Sequence, residues 1–343
     1  MKKLIWLVLL VIVALGIVAG KSYFDKAPQQ EAIDTIKVEN GNSLAPQQKL
    51  EAALSFPSVG SENLLAHIQK LNFQRYTDAE RRNARSYITT ELKKYGWKPK
   101  LQSFPQGINI VAERAGTDKK AGNILVGAHY DTVYQSSGAD DNASGVAVVL
   151  EVARLLAQPT PRGLQLVLFD KEETGLLGSQ AYAKQAKNIN NLRGAVVMDM
   201  VSYACHTPGC QKYPATLPVT PPSDKGDFLA VVGDIEHLPL LSSFQTNTSE
   251  IANLPAVLTI PIPLKGLLTP DTLRSDHAPF WYQGIGAVLV TDTANLRTPH
   301  YHKPTDTPTT IDRDFFIGSA QVIVNATSKL LEARNDLKTP ASN

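Results

Sequence analysis

The chain is poor in cysteine and has no excess of charge of either sign. Its 343 residues include only 2 Cys, and 34 Lys and Arg stand against 32 Asp and Glu, which leaves a net charge of +2. Binding to a phosphate backbone needs a basic face, so this balance argues against nucleic acid as a partner. Two cysteines cannot complete a tetrahedral four-cysteine zinc site, and that class of structural metal site is excluded.

Apolar runs of membrane-spanning length are also missing from the sequence, except at the N-terminus. The segment Leu4–Ala19 is uninterrupted, follows Met-Lys-Lys and precedes Gly20 and Lys21, as in a secretory signal. It has no clear A-x-A cleavage site, and as a helix it barely crosses a hydrocarbon core of about 30 Å. Residues 1–20 are therefore predicted to be either a signal peptide or an N-terminal membrane anchor. Both alternatives predict a periplasmic or extracellular catalytic part.

Beyond this segment, composition divides the chain into a short linker and one large domain. Residues 21–55 are polar and lack a sustained apolar period, which predicts a linker. The 43% apolar content is sufficient for a buried core, and residues 56–336 are predicted to form one catalytic domain, followed by a flexible tail at 337–343. Cys205 and Cys210 flank a Pro-Gly turn, and with an export signal a local disulfide is favoured over a metal-binding pair.

Short apolar runs alternate with helical patterns, which predicts an α/β fold with helices on both faces of a buried sheet. Thr77 and Glu80 form a capping-box pattern at the start of one amphipathic helix. Further helices are expected at 144–157, 176–187, 238–252 and 312–334. The strand-like runs are 107–116, 123–131, 164–170, 194–200, 228–234 and 286–292.

Acids and histidines follow several of these runs. In open α/β sheets the carboxyl ends of parallel strands converge on one edge, where ligands bind. Imidazoles, several carboxylates and a spare acid are the mixture that a pair of divalent metal ions requires, so the pattern predicts a metallohydrolase. The residues are His129, Asp131, Asp140, Asp141, Glu172, Glu173, Asp199 and His302.

Six motifs carry a family resemblance. They are H-x-D at 129–131, G-A-D-D-N-A-S-G at 138–145, E-E-x-G-L-L-G-S at 172–179, M-D-M at 198–200, S-D-H-A-P-F at 275–280 and Y-H-x-x-x-D-T at 301–307. Over roughly residues 60–335 the chain resembles the co-catalytic dizinc aminopeptidase family, whose relatives include glutaminyl cyclases, glutamate carboxypeptidases and the transferrin receptor ectodomain. The resemblance implies a three-layer α/β/α sandwich around a mixed, mostly parallel sheet.

The resemblance also implies a site. Asp140 would bridge two Zn²⁺ ions, with His129 and Asp199 completing one shell and Glu173 and His302 the other. Co²⁺ or Mn²⁺ are acceptable substitutes for such ligands. Glu172 would be the general base and acid that activates a water between the ions.

Other residues are given supporting roles by the same resemblance. Asp131 would orient His129. Asp141 would sit at an unusual cis peptide, and Asp306 would brace the last loop. Asp276 and His277 could orient substrate or stabilise the tetrahedral intermediate, although His277 could equally be a structural group at a helix start. The remaining histidines, His67, His206, His237 and His300, fit surface or structural positions.

The expected function is an exported aminopeptidase that acts on peptides, with no obligate protein partner. A glutaminyl cyclase-like acyltransferase could use the same fold and metal site. A carboxypeptidase or dipeptidase would need an arginine for the free carboxylate, for which Arg274 and Arg297 are candidates. A non-enzymatic binding module is disfavoured because the chain keeps all five metal-ligand positions.

Overall fold

A mixed eight-stranded sheet organises the part of the chain that the structure describes. The computed structural model describes residues 56–214, 217, 223–245 and 254–340. The strands are β1 (Lys100–Phe104), β2 (Gly107–Arg114), β3 (Asn123–His129), β4 (Gly163–Phe169), β5 (Leu192–Met198), β6 (Phe228–Asp234), β7 (Ala256–Ile262) and β8 (Ala287–Thr291), in the spatial order β1-β2-β4-β3-β5-β8-β6-β7.

The centre of the sheet is parallel. β3 pairs in parallel with β4 and β5, and β5 with β8, whereas β2 joins β4 and β6 joins β8 antiparallel. The predicted mixed, mostly parallel sheet is therefore confirmed. All six expected strands are present. The patterns missed β1, which is short and largely exposed, and β7, where Pro261 interrupts the apolar run at the edge of the sheet.

Helices cover both faces of the sheet. They are α1 (Ser61–Leu71), α2 (Asp78–Lys94), α3 (Gly145–Leu155), α4 (Leu177–Ala183), α5 (Ala186–Ile189), α6 (Leu238–Ser242), α7 (Ala278–Tyr282) and α8 (Arg313–Glu332). Successive β3 side chains point to opposite faces, so Ile124 packs with the α1, α2, α3 and α8 core and Leu125 with the α4 and α7 core. Two apolar cores thus hold the three layers together.

Local sequence signals account for several helix ends. Thr77 accepts a hydrogen bond from the Glu80 N–H, and the Glu80 carboxylate accepts one from the Thr77 N–H, which confirms the capping box of α2. Asp312 caps α8 in the same way through the Phe315 N–H. The segment expected as one helix at 176–187 is instead divided into α4 and α5. Of the helix expected at 238–252, α6 covers Leu238–Ser242, and residues 246–252 lie outside the described residues.

The N-terminal predictions fall outside the described residues. This applies to Leu4–Ala19 and to the polar linker at 21–55. Among the described helices, none combines the length and the apolar character needed to cross a membrane.

Candidate metal centre and active site

Three neighbouring parallel strands deliver the site residues to one edge of the sheet. His129 is the last residue of β3, Glu172 and Glu173 follow β4, and Asp199 follows β5. The chain turns sharply here: Lys171 and Met200, which flank these acids, have φ of +63° and +56°. Left-handed backbone is unfavourable by about 1–2 kcal/mol for a non-glycine residue, and such conformations concentrate at functional sites.

The carboxylate of Asp141 lies between the two histidines. Its Oδ1 is 3.3 Å from His129 Nε2, and its Oδ2 is 3.3 Å from His302 Nε2. Asp199 Oδ1 lies 3.5 Å from the same His129 nitrogen, and Glu173 Oε2 lies 3.0 Å from His302 Nε2. Two groups of potential ligands therefore share Asp141 as their common member.

The expectation that Asp140 bridges the two ions is wrong, because Asp141, and not Asp140, belongs to both groups of potential ligands. Asp140 Oδ1 accepts hydrogen bonds from the Ser202 N–H at 3.0 Å and the Ser202 hydroxyl at 2.6 Å. Burial and the adjacent Asp292 carboxyl hold the pKa of Asp140 well above its usual range. Adjacent residues in an irregular turn face different directions, and sequence alone could not decide which of two consecutive aspartates faces the metals. The expected cis peptide is present, between Asp141 and Asn142.

The loop that carries Asp141 is fastened on both sides. The Asp306 carboxylate accepts the N–H groups of Asp140 and Asp141, at 2.9 and 3.1 Å. Asn142 donates to the Met198 carbonyl at 2.9 Å and accepts the Met200 N–H at 3.2 Å. Asp306 thus braces the 138–145 loop as well as its own, and Asn142 ties that loop to the end of β5.

A buried cation lies beneath the same loop. The Arg75 guanidinium is fully buried and donates to the carbonyls of Tyr130 (2.8 Å), Ser137 (2.7 Å) and Gly138 (2.9 Å). Gly138 has φ of +58°, and a Cβ there would lie 2.6 Å from Arg75 Nη2, so only glycine fits. Burial lowers the pKa of Arg75 to about 10 even though Asp306, Asp141 and Asp131 favour its charged form. No local sequence pattern distinguishes this arginine from a surface one.

Asp131 supports both the histidine and the glutamate pair. Its carboxylate accepts the N–H groups of Glu172 at 3.1 Å and Glu173 at 3.3 Å. The distance from its Oδ1 to His129 Nδ1 is 3.6 Å, too long for a hydrogen bond, and Nδ1 instead lies 3.3 Å from the Asp131 carbonyl oxygen. Asp131 therefore positions His129 through its backbone and the glutamates through its side chain.

Glu172 and Glu173 occupy different environments despite being neighbours. Glu173 faces His302, and its pKa is raised to about 7 by burial and by the charge of Asp141. Glu172 is buried at the wall of the pocket, and burial together with the acids Asp199 and Asp276 holds its pKa well above the usual range. A carboxyl group with a raised pKa can both accept and return a proton near neutral pH.

The donor set suits divalent cations. In the groups His129–Asp141–Asp199 and Asp141–Glu173–His302, the potential ligand atoms all lie within 4.8 Å of one another. Glu173 Oε1 is buried without a hydrogen-bond partner among the described residues. Burial lowers the pKa of His129, but the charge of Glu172 and the contacts to Asp131, Asp141 and Asp199 raise it well above normal overall. Mixed imidazole and carboxylate ligands with surplus negative charge fit zinc, cobalt or manganese.

A pocket of ≈630 Å³ opens from this centre. Side chains from one face of β6, β7 and β8 form one wall of the pocket. The segment that follows the Cys205–Cys210 disulfide forms another. The disulfide predicted for these cysteines is confirmed. The apolar lining residues are Leu176, Pro214, Leu217, Phe228, Ala230, Val232, Leu258, Ile260, Leu273, Leu289, Ala294 and Leu296.

Asp276 and His277 do not face this pocket. Both are fully buried, and His277 Nε2 lies 2.8 Å from the Thr272 carbonyl oxygen while its ring packs against Trp281. The structural alternative therefore holds for His277. Asp276 is an acid in the interior near the site, and burial raises its pKa to about 7.

The side chain of Lys171, the residue before Glu172, lies over the Tyr76 ring, 6.0 Å from its centroid.

The other four histidines also lie away from the metal-ligand groups. His67 Nδ1 is 2.7 Å from the Tyr87 hydroxyl and His237 Nδ1 is 2.8 Å from Asp234, both in the interior. His206 pairs with Asp312 and His300 with Thr305 at more exposed positions. These contacts agree with the expected structural or surface roles.

Comparison with known proteins identifies the family. Residues 109–220, which include His129, Asp141, Glu172, Glu173 and Asp199, match the sequence model of peptidase family M28. An uncharacterised Escherichia coli protein, YfbL, is 36% identical over 229 residues, covering 63% of this chain and 68% of YfbL. The chain belongs to peptidase family M28. It is a metallopeptidase.

Two further relatives bear on this M28 peptidase. The aminopeptidase YwaD of Bacillus subtilis is 39% identical over 95 residues, covering 27% of this chain and 21% of YwaD. The Legionella pneumophila LapA aminopeptidase structure superposes with a TM-score of 0.63 over 88% of this chain and 79% of LapA, at 17% identity, and shows a shared fold. The matched region is thus a small part of YwaD.

Proposed function

We propose that this M28 peptidase is a zinc-dependent aminopeptidase with two metal ions. The observation that carries the proposal is the Asp141 carboxylate, which is shared between two groups of ligands, with Glu172 close to His129 and Glu173. His129 and Asp199 would hold one ion, Glu173 and His302 the other, and Asp141 both. When bound, such ions polarise the scissile carbonyl and lower the pKa of a coordinated water.

Glu172 is assigned the proton transfer. Its side chain lies at the pocket wall, and Asp131 holds the Glu172 and Glu173 N–H groups in place. Glu172 takes a proton from the attacking water and delivers it to the amine that leaves, so the group returns to its starting state. Burial raises the pKa of Glu172 above its usual range, which favours retention of the proton until the amine leaves.

Release of the N-terminal residue is the reaction that the pocket supports best. The apolar wall on β6, β7 and β8 suits an apolar first side chain. The local identity with the aminopeptidase YwaD adds support.

The test is an assay of the full chain with added zinc. Three substrate sets are compared: peptides with a free N-terminus, peptides beginning with glutamine, and N-blocked peptides with a free C-terminus. We expect release of the first residue from the first set, abolished by a chelator and restored by zinc. Cyclisation of glutamine without hydrolysis, or cleavage of only the N-blocked set, would overturn the proposal in favour of the acyltransferase or carboxypeptidase alternative.

We further propose that the enzyme works outside the cytoplasm. The apolar segment Leu4–Ala19 after two lysines supports export, and two cysteines joined in a disulfide suit an oxidising compartment. Cell fractionation with protease added from outside tests this. Protection of the catalytic domain in intact spheroplasts would contradict it, and N-terminal sequencing distinguishes a cleaved signal from a retained anchor.

A further inference from the structure

Two cationic side chains, Lys212 and Arg274, line the pocket outside the metal centre. The Arg274 side chain is hydrogen-bonded to other residues of the pocket. Arg274 Nη2 donates to the Tyr301 hydroxyl at 3.2 Å, and Nη1 donates to Asn295 Oδ1 at 3.1 Å. The Tyr301 ring in turn stacks on the His302 imidazole, with centroids 3.7 Å apart and an interplanar angle of 20°. The second cation, Lys212, lies on another wall.

The guanidinium of Arg274 keeps unused donors. A guanidinium has five N–H groups, and the two described hydrogen bonds leave three without a partner in the described part of the chain. The side chain is exposed at the pocket rim, and no described acid pairs with it. Since the Tyr301 oxygen accepts from Arg274, the hydroxyl hydrogen is free to be donated as well. Two donors on neighbouring side chains suit the two oxygens of one carboxylate.

Arg297, the other arginine that could serve a carboxylate, has no such freedom. It is buried, and its nitrogens donate to Gln211 Oε1 at 2.8 Å, the Phe228 carbonyl at 2.7 Å and the Tyr203 carbonyl at 3.2 Å. Its guanidinium also stacks over the Phe228 ring, 4.7 Å from the centroid. Arg297 therefore ties the wall of the pocket together, and Arg274 is left to contact substrate.

We infer that Arg274 is a specificity residue that binds a carboxylate of the substrate, on the residue that follows the scissile bond. This inference rests on the proposed aminopeptidase function. The first residue of the bound peptide would lie at the metal centre and against the apolar wall, so the following residues would extend past Arg274 at the pocket rim. The carboxylate has two sources, the C-terminus of a dipeptide or the side chain of an acidic second residue. Both present the same chemistry to the guanidinium.

Two matched pairs of substrates separate these sources. Leu-Ala against Leu-Ala-amide tests the main-chain carboxylate, and Leu-Glu-amide against Leu-Gln-amide tests the side chain. We expect wild-type protein to favour the acidic member of at least one pair through a lower KM. In Arg274→Gln that preference should fall by about 10- to 100-fold, which corresponds to one charge-assisted contact. Arg274→Lys keeps the positive charge but not the paired N–H donors of the guanidinium, so its preference for the acidic substrate should lie between those of wild type and Arg274→Gln.

Lys212→Gln is the matched control, because it removes one positive charge from the pocket without touching Tyr301. Metal content of Arg274→Gln should match wild type, because Arg274 is not a member of either ligand group. Absence of an acid preference in wild type would overturn the inference, as would an equal loss on both members of each pair, which would make Arg274 a positioning residue for Tyr301. Equal effects of the Lys212 and Arg274 substitutions would also overturn it, because the preference would then come from the net positive charge of the pocket and not from a contact with Arg274. If the amides are hydrolysed but no acid preference exists, only this inference fails; if none of the four substrates is cleaved, the aminopeptidase function fails first.

Discussion

Substitutions of Glu172 and Glu173 should impair the enzyme in different ways, although the two side chains are chemically identical. Glu172→Gln removes the proton carrier but no ligand, so kcat should fall by about 10²- to 10⁴-fold at unchanged metal content. Glu173→Gln replaces a charged metal ligand with a neutral amide. We expect the metal affinity to fall by more than about 100-fold, which exceeds the loss typical of residues that only orient a ligand. Metal analysis after dialysis, paired with steady-state kinetics, checks both. Loss of metal from Glu172→Gln would contradict the assignment.

Asp140 and Asp141 give a second contrast. Asp141→Asn removes the carboxylate between His129 and His302, so both ions should be lost together. Asp140→Asn keeps an oxygen that can accept from Ser202, and the protein should retain both ions. Zinc titration by calorimetry measures the stoichiometry of each variant. Retention of one ion by Asp141→Asn would show that the ligand groups do not share this residue.

For the helices, the start of α2 offers a clean measurement. Thr77→Ala removes the hydroxyl that accepts the Glu80 N–H and should lower the free energy of unfolding by about 1 kcal/mol. The cap is exposed and lies outside the pocket, so kinetic constants should not change. Urea denaturation of Thr77→Ala and of Thr77→Ser, which keeps the hydroxyl, tests this. Equal destabilisation of both variants would rule out the cap as the cause.

Among the loops, the disulfide-closed turn shapes one wall of the pocket. Cys205 and Cys210 are five positions apart, and Lys212, Tyr213 and Pro214, just beyond, line the pocket. A double serine variant should lose about 2 kcal/mol of stability from the loop-entropy term. It should also raise KM for apolar substrates more than it lowers kcat, because the metal ligands lie on other segments. Kinetics with and without a reductant on wild type provide the control, and an unchanged KM would contradict the role.

For the molecule as a whole, metal binding should contribute to stability. The ligands come from five separate segments of the chain, so ions that bind only the folded state tie these segments together. At a free metal concentration of 100 times Kd the gain is about 2.7 kcal/mol per site. In a domain of this size, that should raise Tm by roughly 5–10 °C. Thermal unfolding with chelator and with added zinc measures the shift, and identical Tm values would argue against metal ligation.

Much of the architecture could be predicted from the sequence because its signals are local. Apolar runs such as 228–234 predicted a strand with the observed bounds, and the Thr77 and Glu80 pair predicted the start of α2. The elements that escaped prediction were decided by context. β7 forms at the sheet edge despite Pro261, where β6 supplies its only strand partner among the described residues. The helix expected at 176–187 divides into α4 and α5.

The kinds of side chain that meet at the site follow from the sequence, because motif order and strand ends place them on one edge of a parallel sheet. The direction in which each side chain points depends on the folded structure. It turned Asp141 toward the metal centre and Asp140 toward Ser202, buried Arg75 beneath the loop, and separated Arg274 on the pocket rim from Arg297 in the wall. These orientations depend on hydrogen bonds to residues far away in the chain, here Asp306, Ser202 and Gln211. No local pattern encodes those partners.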